Sequence, residues 1–176
     1  VSTIKWIKDA GGSSNIEWDI YGGYKGEISK DLSYDVGFLR YQYLKNKLAT
    51  NANTNEIYGA LTFGPGTVKY SWATTNLFGF AKSKNSGYLE ASAGYEVAGL
   101  TVTPHLGYQN VAKNGDFSYL DYSLTVSKEV VKGLTLSGAV VGTDAKKIGG
   151  VPAYYYAATD KDLAKAGIVL GAKYAF

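Results

Sequence analysis

Apolar and polar residues alternate at every second position through most of this chain, which is the signature of strands with one apolar face. Residues 166–176 read AGIVLGAKYAF. Ala166, Ile168, Leu170, Ala172, Tyr174 and Phe176 share one face, and Gly167, Val169, Gly171, Lys173 and Ala175 the other. From 15 to 28, Ile16, Trp18, Ile20, Gly22, Tyr24 and Ile28 oppose Glu17, Asp19, Tyr21, Gly23, Lys25 and Glu27. The same period runs through 67–75, 88–97, 101–109, 120–127 and 134–140. Ile57, Gly59, Leu61 and Phe63 make a fair strand, and Ile4 and Trp6 a short first one. Within 33–44 the phase slips: Tyr34, Val36 and Phe38 share a face, then Leu39, Tyr41 and Tyr43 take the other. A β-bulge near Phe38 accounts for that slip and turns Arg40 to the polar side. Pro104 lacks a backbone donor, which predicts an irregular ladder around it. The pattern predicts about 10 strands in all.

The connections alternate in length. Short ones fall at 29–32, 64–66, 98–99 and 129–133, and longer polar ones at 9–14, 45–54, 76–86, 111–116 and 143–163. Tight turns at one end and long loops at the other are the stringing of an up-and-down antiparallel barrel across an outer membrane. No linker divides the chain, so 1–176 reads as one domain. Val1 starts inside a strand pattern, with no signal peptide ahead of it, so the chain reads as lacking its N-terminal strands. No apolar run is long enough for a transmembrane helix, which leaves spanning strands untouched.

Composition narrows the function. Gly is 22 and Tyr 16 of 176 residues, without a Gly-X-Y period, and Cys is absent, which removes disulfides, thiolate metal sites and cysteine nucleophiles. The net charge of +3 is spread along the chain, not gathered into the basic patch that nucleic-acid binding needs.

A soluble lipid-binding barrel also alternates, with its apolar face inward. Lipid outside and water inside fits better. The polar face is small and charged, and aromatic residues near strand ends (Trp18, Tyr24, Trp72, Tyr95, Tyr174, Phe176) suit the two interfacial girdles. The chain also ends on Phe176 as the last residue of a strand. The predicted fold is therefore an all-β, antiparallel transmembrane up-and-down β-barrel in a bacterial outer membrane.

Residues 20–43 (IYGGYKGEISKDLSYDVGFLRYQY), 77–110 (LFGFAKSKNSGYLEASAGYEVAGLTVTPHLGYQN) and 121–144 (DYSLTVSKEVVKGLTLSGAVVGTD), with the terminal GIVLGAKYAF, resemble the TorF family of porins. These are outer-membrane proteins of proteobacteria. The resemblance implies about 12 strands in the intact protein. It further implies a porin-like channel for passive diffusion of small hydrophilic solutes or ions, in contact with outer-membrane lipid and lipopolysaccharide. The barrel assembly machinery would engage its C-terminal strand. The alternative is a closed structural barrel that meets a protein partner through its long loops.

The candidate lumen-lining charges nearly balance: Lys25, Arg40, Lys69 and Lys173, with Lys5, Lys128 and Lys165, against Glu17, Asp19, Asp35, Glu90, Glu96 and Asp121. They either filter solutes at a constriction or pair across strands and fill the lumen. His105, the only histidine, lies on the polar face and belongs to the residue type that titrates near neutral pH. One histidine builds no metal cluster, and no nucleophile motif surrounds a serine, so no enzymatic role, metal or cofactor is expected. Gly64-Pro65-Gly66 is a tight turn, not a phosphate loop. The lysines and aspartates of the long loops read as solvated surface.

Overall fold

The computed structural model describes residues 1–157 and 159–176. It is all-β, with 60% of residues in strands and 4% in helix. In chain order the elements are β1 (Ser2–Thr3), α1 (Trp6–Asp9), β2 (Ile16–Ser29), β3 (Leu32–Gln42), β4 (Thr54–Phe63) and β5 (Gly66–Ala73). Next come β6 (Gly87–Ala93), β7 (Tyr95–Val97), β8 (Leu100–Asn110), a 3-10 turn (Gly115–Phe117), β9 (Tyr119–Val131) and β10 (Leu134–Thr143). Two small hairpins follow, β11 (Lys147–Ile148) with β12 (Val151–Pro152) and β13 (Tyr155–Tyr156) with β14 (Lys161–Asp162), before β15 (Gly167–Tyr174).

One antiparallel up-and-down sheet holds the strands in the order β1-β2-β3-β4-β5-β6-β8-β9-β10-β15, with β7 beside β8. Every long connection lies at the same end of this sheet and every tight turn at the other. Turn chemistry explains the short end. Ala98 and Gly99 both have positive φ (52° and 75°), the combination a two-residue hairpin needs to follow the strand twist. Gly64 and Gly133 also adopt left-handed conformations there.

The sheet inverts the usual burial rule. On β9, Asp121, Ser123, Thr125 and Ser127 are partly buried, while Tyr122, Leu124 and Val126 are exposed. The register extends that division across the sheet, because cross-strand partners point to the same side. One side carries Trp18, Ile20, Tyr24, Val36, Phe38, Ile57, Leu61, Val68, Tyr70, Trp72, Leu89, Leu106, Tyr108, Leu136, Val140, Ile168 and Leu170, all exposed. The other carries the polar residues, which occlude one another as side chains on a concave surface do.

Among the described residues, compact apolar cores occur only at the long-loop end. Ile7, Tyr43 and Ala52 form one, with Trp6, Tyr41, Leu48 and Phe78 against it; Ala73, Leu77 and Val111 form the second, beside Phe80 and Phe117. There the margins of the sheet approach. β2 and β15 share no ladder, yet Lys161 of the last long loop places Nζ 3.2 Å from Oδ2 of Asp9 on α1.

Three local expectations need correction. Trp6 is not in a strand: Ile7 buries completely against Tyr43 and Ala52, and the chain coils into α1 to place it there. No bulge interrupts β3. Its pairing with β4 runs without a shift from Leu32↔Phe63 to Tyr41↔Thr54, so Leu39 and Tyr41 simply lie on the polar side with Asp35. The true bulges sit at the tight turns, between Glu27 and Ser29 and near Leu134. At Pro104 the expected irregularity is real but lies on the neighbour: pairing between β8 and β6 stops at His105 and resumes with β7 at Val102. Gly94 fills that gap and donates to the Pro65 carbonyl at 3.0 Å.

Candidate functional site

The register brings charges that are far apart in sequence into one row across the concave face. Lys25 pairs with Asp35, Asp35 with Ala60, Ala60 with Lys69, Lys69 with Glu90, Glu90 with Gly107 and Gly107 with Asp121. Lys25 Nζ sits 3.2 Å from Asp35 Oδ2, and Lys69 Nζ 3.3 Å from Glu90 Oε1. The two small positions, Ala60 and Gly107, are bridged by side chains from the next row. Tyr58 donates its hydroxyl to Asp35 Oδ1 at 3.2 Å, while Lys69 Nζ lies 5.1 Å from the Tyr58 ring centroid.

Further round, His105 stands between two carboxylates: Nδ1 is 3.8 Å from Glu90 Oε2 and Nε2 is 3.1 Å from Asp121 Oδ1. Tyr88 completes the group, donating to Asp121 and lying 3.1 Å from His105 Nε2. Glycine makes these contacts sterically possible. A Cβ on Gly37 would strike the Tyr58 hydroxyl at 2.6 Å, and one on Gly107 would strike the Tyr88 hydroxyl. The result is a belt of alternating charge running from β2 to β9. From there to β15 the concave face turns small and neutral, through Ser137, Ala139, Val169 and Gly171.

At the long-loop end the same face changes character. Glu17 accepts a hydrogen bond from the Tyr43 hydroxyl. Asp19 Oδ1 is buried with no hydrogen-bond partner, and Glu56 is only 7% exposed. Among the described residues none of these three carboxylates has a cation within ion-pairing distance. Above them the loops fold inward around a cavity of about 640 Å³. The loop at 74–86 contributes Phe78, whose ring centroid lies 5.1 Å from that of Tyr41. Phe78 and Gly79 both take positive φ (43° and 89°), a strained path that only firm packing sustains. Phe80, Phe117 and Tyr119 each meet the Tyr154 ring edge to face, Phe80 and Phe117 lie tilted against each other, and the Tyr154 hydroxyl donates to the Phe117 carbonyl. Burial pushes the Tyr43 and Tyr154 hydroxyls well above the ordinary tyrosine range, with the Glu17 hydrogen bond adding to the effect at Tyr43.

Most residues singled out from the sequence fall on the concave side: Glu17, Asp19, Lys25, Asp35, Lys69, Glu90, Glu96, His105, Asp121 and Lys173. Glu96 stands outside the belt and accepts a bond from the Thr101 hydroxyl at 2.6 Å. Lys173, opposite Thr135, is exposed. Arg40 is a correction. Without a bulge it stays on Phe38's side, where Nε bonds Gln42 Oε1 at 2.8 Å and Nη1 bonds Asn55 Oδ1 at 2.9 Å. Lys128 likewise pairs with Leu136 on the apolar side, and Lys5 and Lys165 lie outside the strands. These two misplaced charges are informative, because Arg40 and Lys128 cap the apolar side near its loop and turn margins. Trp18, Tyr24, Trp72, Tyr95, Tyr174 and Phe176 are all exposed, Trp18 and Trp72 toward the loop end and the others toward the turns.

Sequence reasoning missed Glu56, Tyr58 and Tyr88. Their strands were recognised from the apolar faces, and reading the opposite parity of each strand finds them.

Fold and site together define an up-and-down β-sheet protein with a polar concave face and an aromatic, acidic mouth. The chain belongs to a family described as a bacterial protein of unknown function (Gcw_chp), which matches residues 1–176. No curated protein and no solved structure matches it.

Proposed function

We propose that this chain forms an outer-membrane β-barrel whose concave face lines a passage for small hydrophilic solutes or ions. The inverted burial carries the reading. Nine long strands about 4.8 Å apart, each with roughly 20 Å of apolar outward surface, present an area on the order of 900 Å². The largest apolar patch of a soluble monomer is about 300–600 Å². Lipid is the solvent that suits such a surface, and Arg40 with Gln42 and Asn55, and Lys128 at the other margin, bound it where headgroups and lipopolysaccharide would begin. The resemblance to TorF porins points the same way and adds the barrel assembly machinery as the partner of the C-terminal strand.

The mechanism is electrostatic and steric filtering without covalent chemistry. The belt sets positive Lys25 and Lys69 beside negative Asp35, Glu90 and Asp121 at one height, so a permeating solute meets a transverse field with a small negative excess. A second reading rests on the same pairing. Charges that satisfy one another, under loops packed across the mouth, suit a closed barrel that presents those loops to a protein partner.

Planar-bilayer recording of the full-length protein separates the two. Discrete conductance steps, with a reversal potential of cation-selective sign in a salt gradient, are the expected result. Silence from correctly folded barrels overturns the channel and leaves the closed barrel.

A further inference from the structure

We infer that the cavity at the mouth is a binding site for an organic cation with an apolar or aromatic body. Its volume of about 640 Å³ falls in the ~300–1,000 Å³ range of small-molecule sites. Rings wall it from several elements at once: Trp6 from α1, Phe78 and Phe80 from the loop at 74–86, Tyr119 from β9, and Tyr154 and Tyr156 from the last long loop. Aromatic rings attract cations through their quadrupole, and boxes of them hold quaternary ammonium groups.

The polar groups in the walls favour the same guest. Glu17 is the only charged side chain among the described lining residues, and no cation neutralises it. Asp19 and Glu56 add negative charge below, flanking Tyr41, on whose ring Phe78 packs. Gln109 donates both amide hydrogens to the carbonyls of Gly87 and Asn110, so only its oxygen remains to meet a ligand. A guest with N–H donors or a diffuse positive charge satisfies these acceptors. An anion meets uncompensated carboxylates, and a neutral hydrocarbon leaves them desolvated. The site does not require the lumen to conduct, so bilayer silence leaves it standing.

The test uses the folded protein in a non-ionic detergent, with Trp18→Phe and Trp72→Phe leaving Trp6 as the one indole of this chain. Benzyltrimethylammonium should change Trp6 emission saturably, and benzenesulfonate should not. Glu17→Gln keeps an acceptor for Tyr43 and should weaken the cation about tenfold, while Phe80→Ala weakens it through lost ring contact. Saturable binding of the sulfonate, an unchanged affinity in Glu17→Gln, or no saturation with the cation would each overturn the assignment.

Discussion

At mid-height on the concave face each carboxylate has partners, whereas at the mouth the carboxylates are left largely alone. Asp35 has Lys25 and Tyr58, Glu90 has Lys69 and His105, and Asp121 has His105 and Tyr88. Glu17 has only the Tyr43 hydroxyl, and Asp19 and Glu56 accept no hydrogen bond from a described residue. Both regions lie on the same strands, a few residues apart, and differ in what the opposite strand offers. A paired row specifies register, since a slip by one residue would send every charge to the apolar side. An unpaired, part-buried carboxylate costs stability and specifies nothing in the fold, so its use lies in what it meets from outside.

The belt should break most severely at a glycine. In Gly107→Val the new side chain collides with the Tyr88 hydroxyl and lies within 2.7 Å of Asp121 Oδ2, so the His105–Asp121–Tyr88 group cannot persist. A loss of about 3 kcal/mol in urea unfolding from vesicles is expected. Gly22→Val, on the outward side with nothing within 4 Å of its Cβ, is the control and should be close to neutral. Equal losses in both variants would show that the belt contributes no special stability.

Alkali should loosen the mouth. The Tyr43 and Tyr154 hydroxyls are held above their unfolded value by burial, so their stabilisation is complete below about pH 10 and is lost as pH rises toward the folded values. For Tyr43, which is 2% exposed, that amounts to about 1.4 kcal/mol per pH unit in this window. Trp6 emission reports it, since its ring lies 5.2 Å from that of Tyr43. Tyr43→Phe should flatten the alkaline change, and a transition unchanged in that variant would place its origin elsewhere.

How much of this was legible beforehand follows from what periodicity can carry. Strand positions, the alternation of loop lengths and the face of ten of the fourteen candidate lumen residues were readable, because period two is set by local backbone geometry. Arg40 was not. Its neighbours Leu39, Tyr41 and Tyr43 are apolar side chains on the polar face, drawn there by the loop cluster around Ile7 and Phe78, and parity alone read them as a phase slip. The pairing of Lys69 with Glu90, and the isolation of Glu56, depend on cross-strand register, which no single strand contains. The aromatic cavity was the least legible, since loops from distant connections build it.

Neutralising one charge in each region should give opposite signs. Lys69→Gln strips Glu90 of its ammonium partner and Tyr58 of its cation–π contact; both Lys69 and Glu90 are partly buried, and a loss of about 1 kcal/mol is expected. Glu56→Gln removes a buried charge that has no counter-ion, and should raise stability by up to about 1 kcal/mol. Denaturant midpoints of the two variants measure the contrast. Destabilisation by both would mean that Glu56 is bound to something in the folded state, and would tie the mouth to the belt.

Lys25→Gln sharpens the comparison from the weak end. Lys25 lies 3.2 Å from Asp35, at a distance like that of Lys69 from Glu90, yet its side chain is 80% exposed against 33% for Lys69. Water and salt screen an exposed pair, and holding a long lysine chain in one rotamer costs entropy, so such pairs contribute about 0–1 kcal/mol. Asp35 also keeps the Tyr58 hydroxyl when the ammonium is removed. The expected change in unfolding free energy is therefore within about 0.5 kcal/mol. Past its two-residue pairing with β1 at Ile16 and Glu17, β2 has no ladder partner on that side among the described residues, and a larger loss would mean that Lys25 is covered in the folded protein by something that joins this edge.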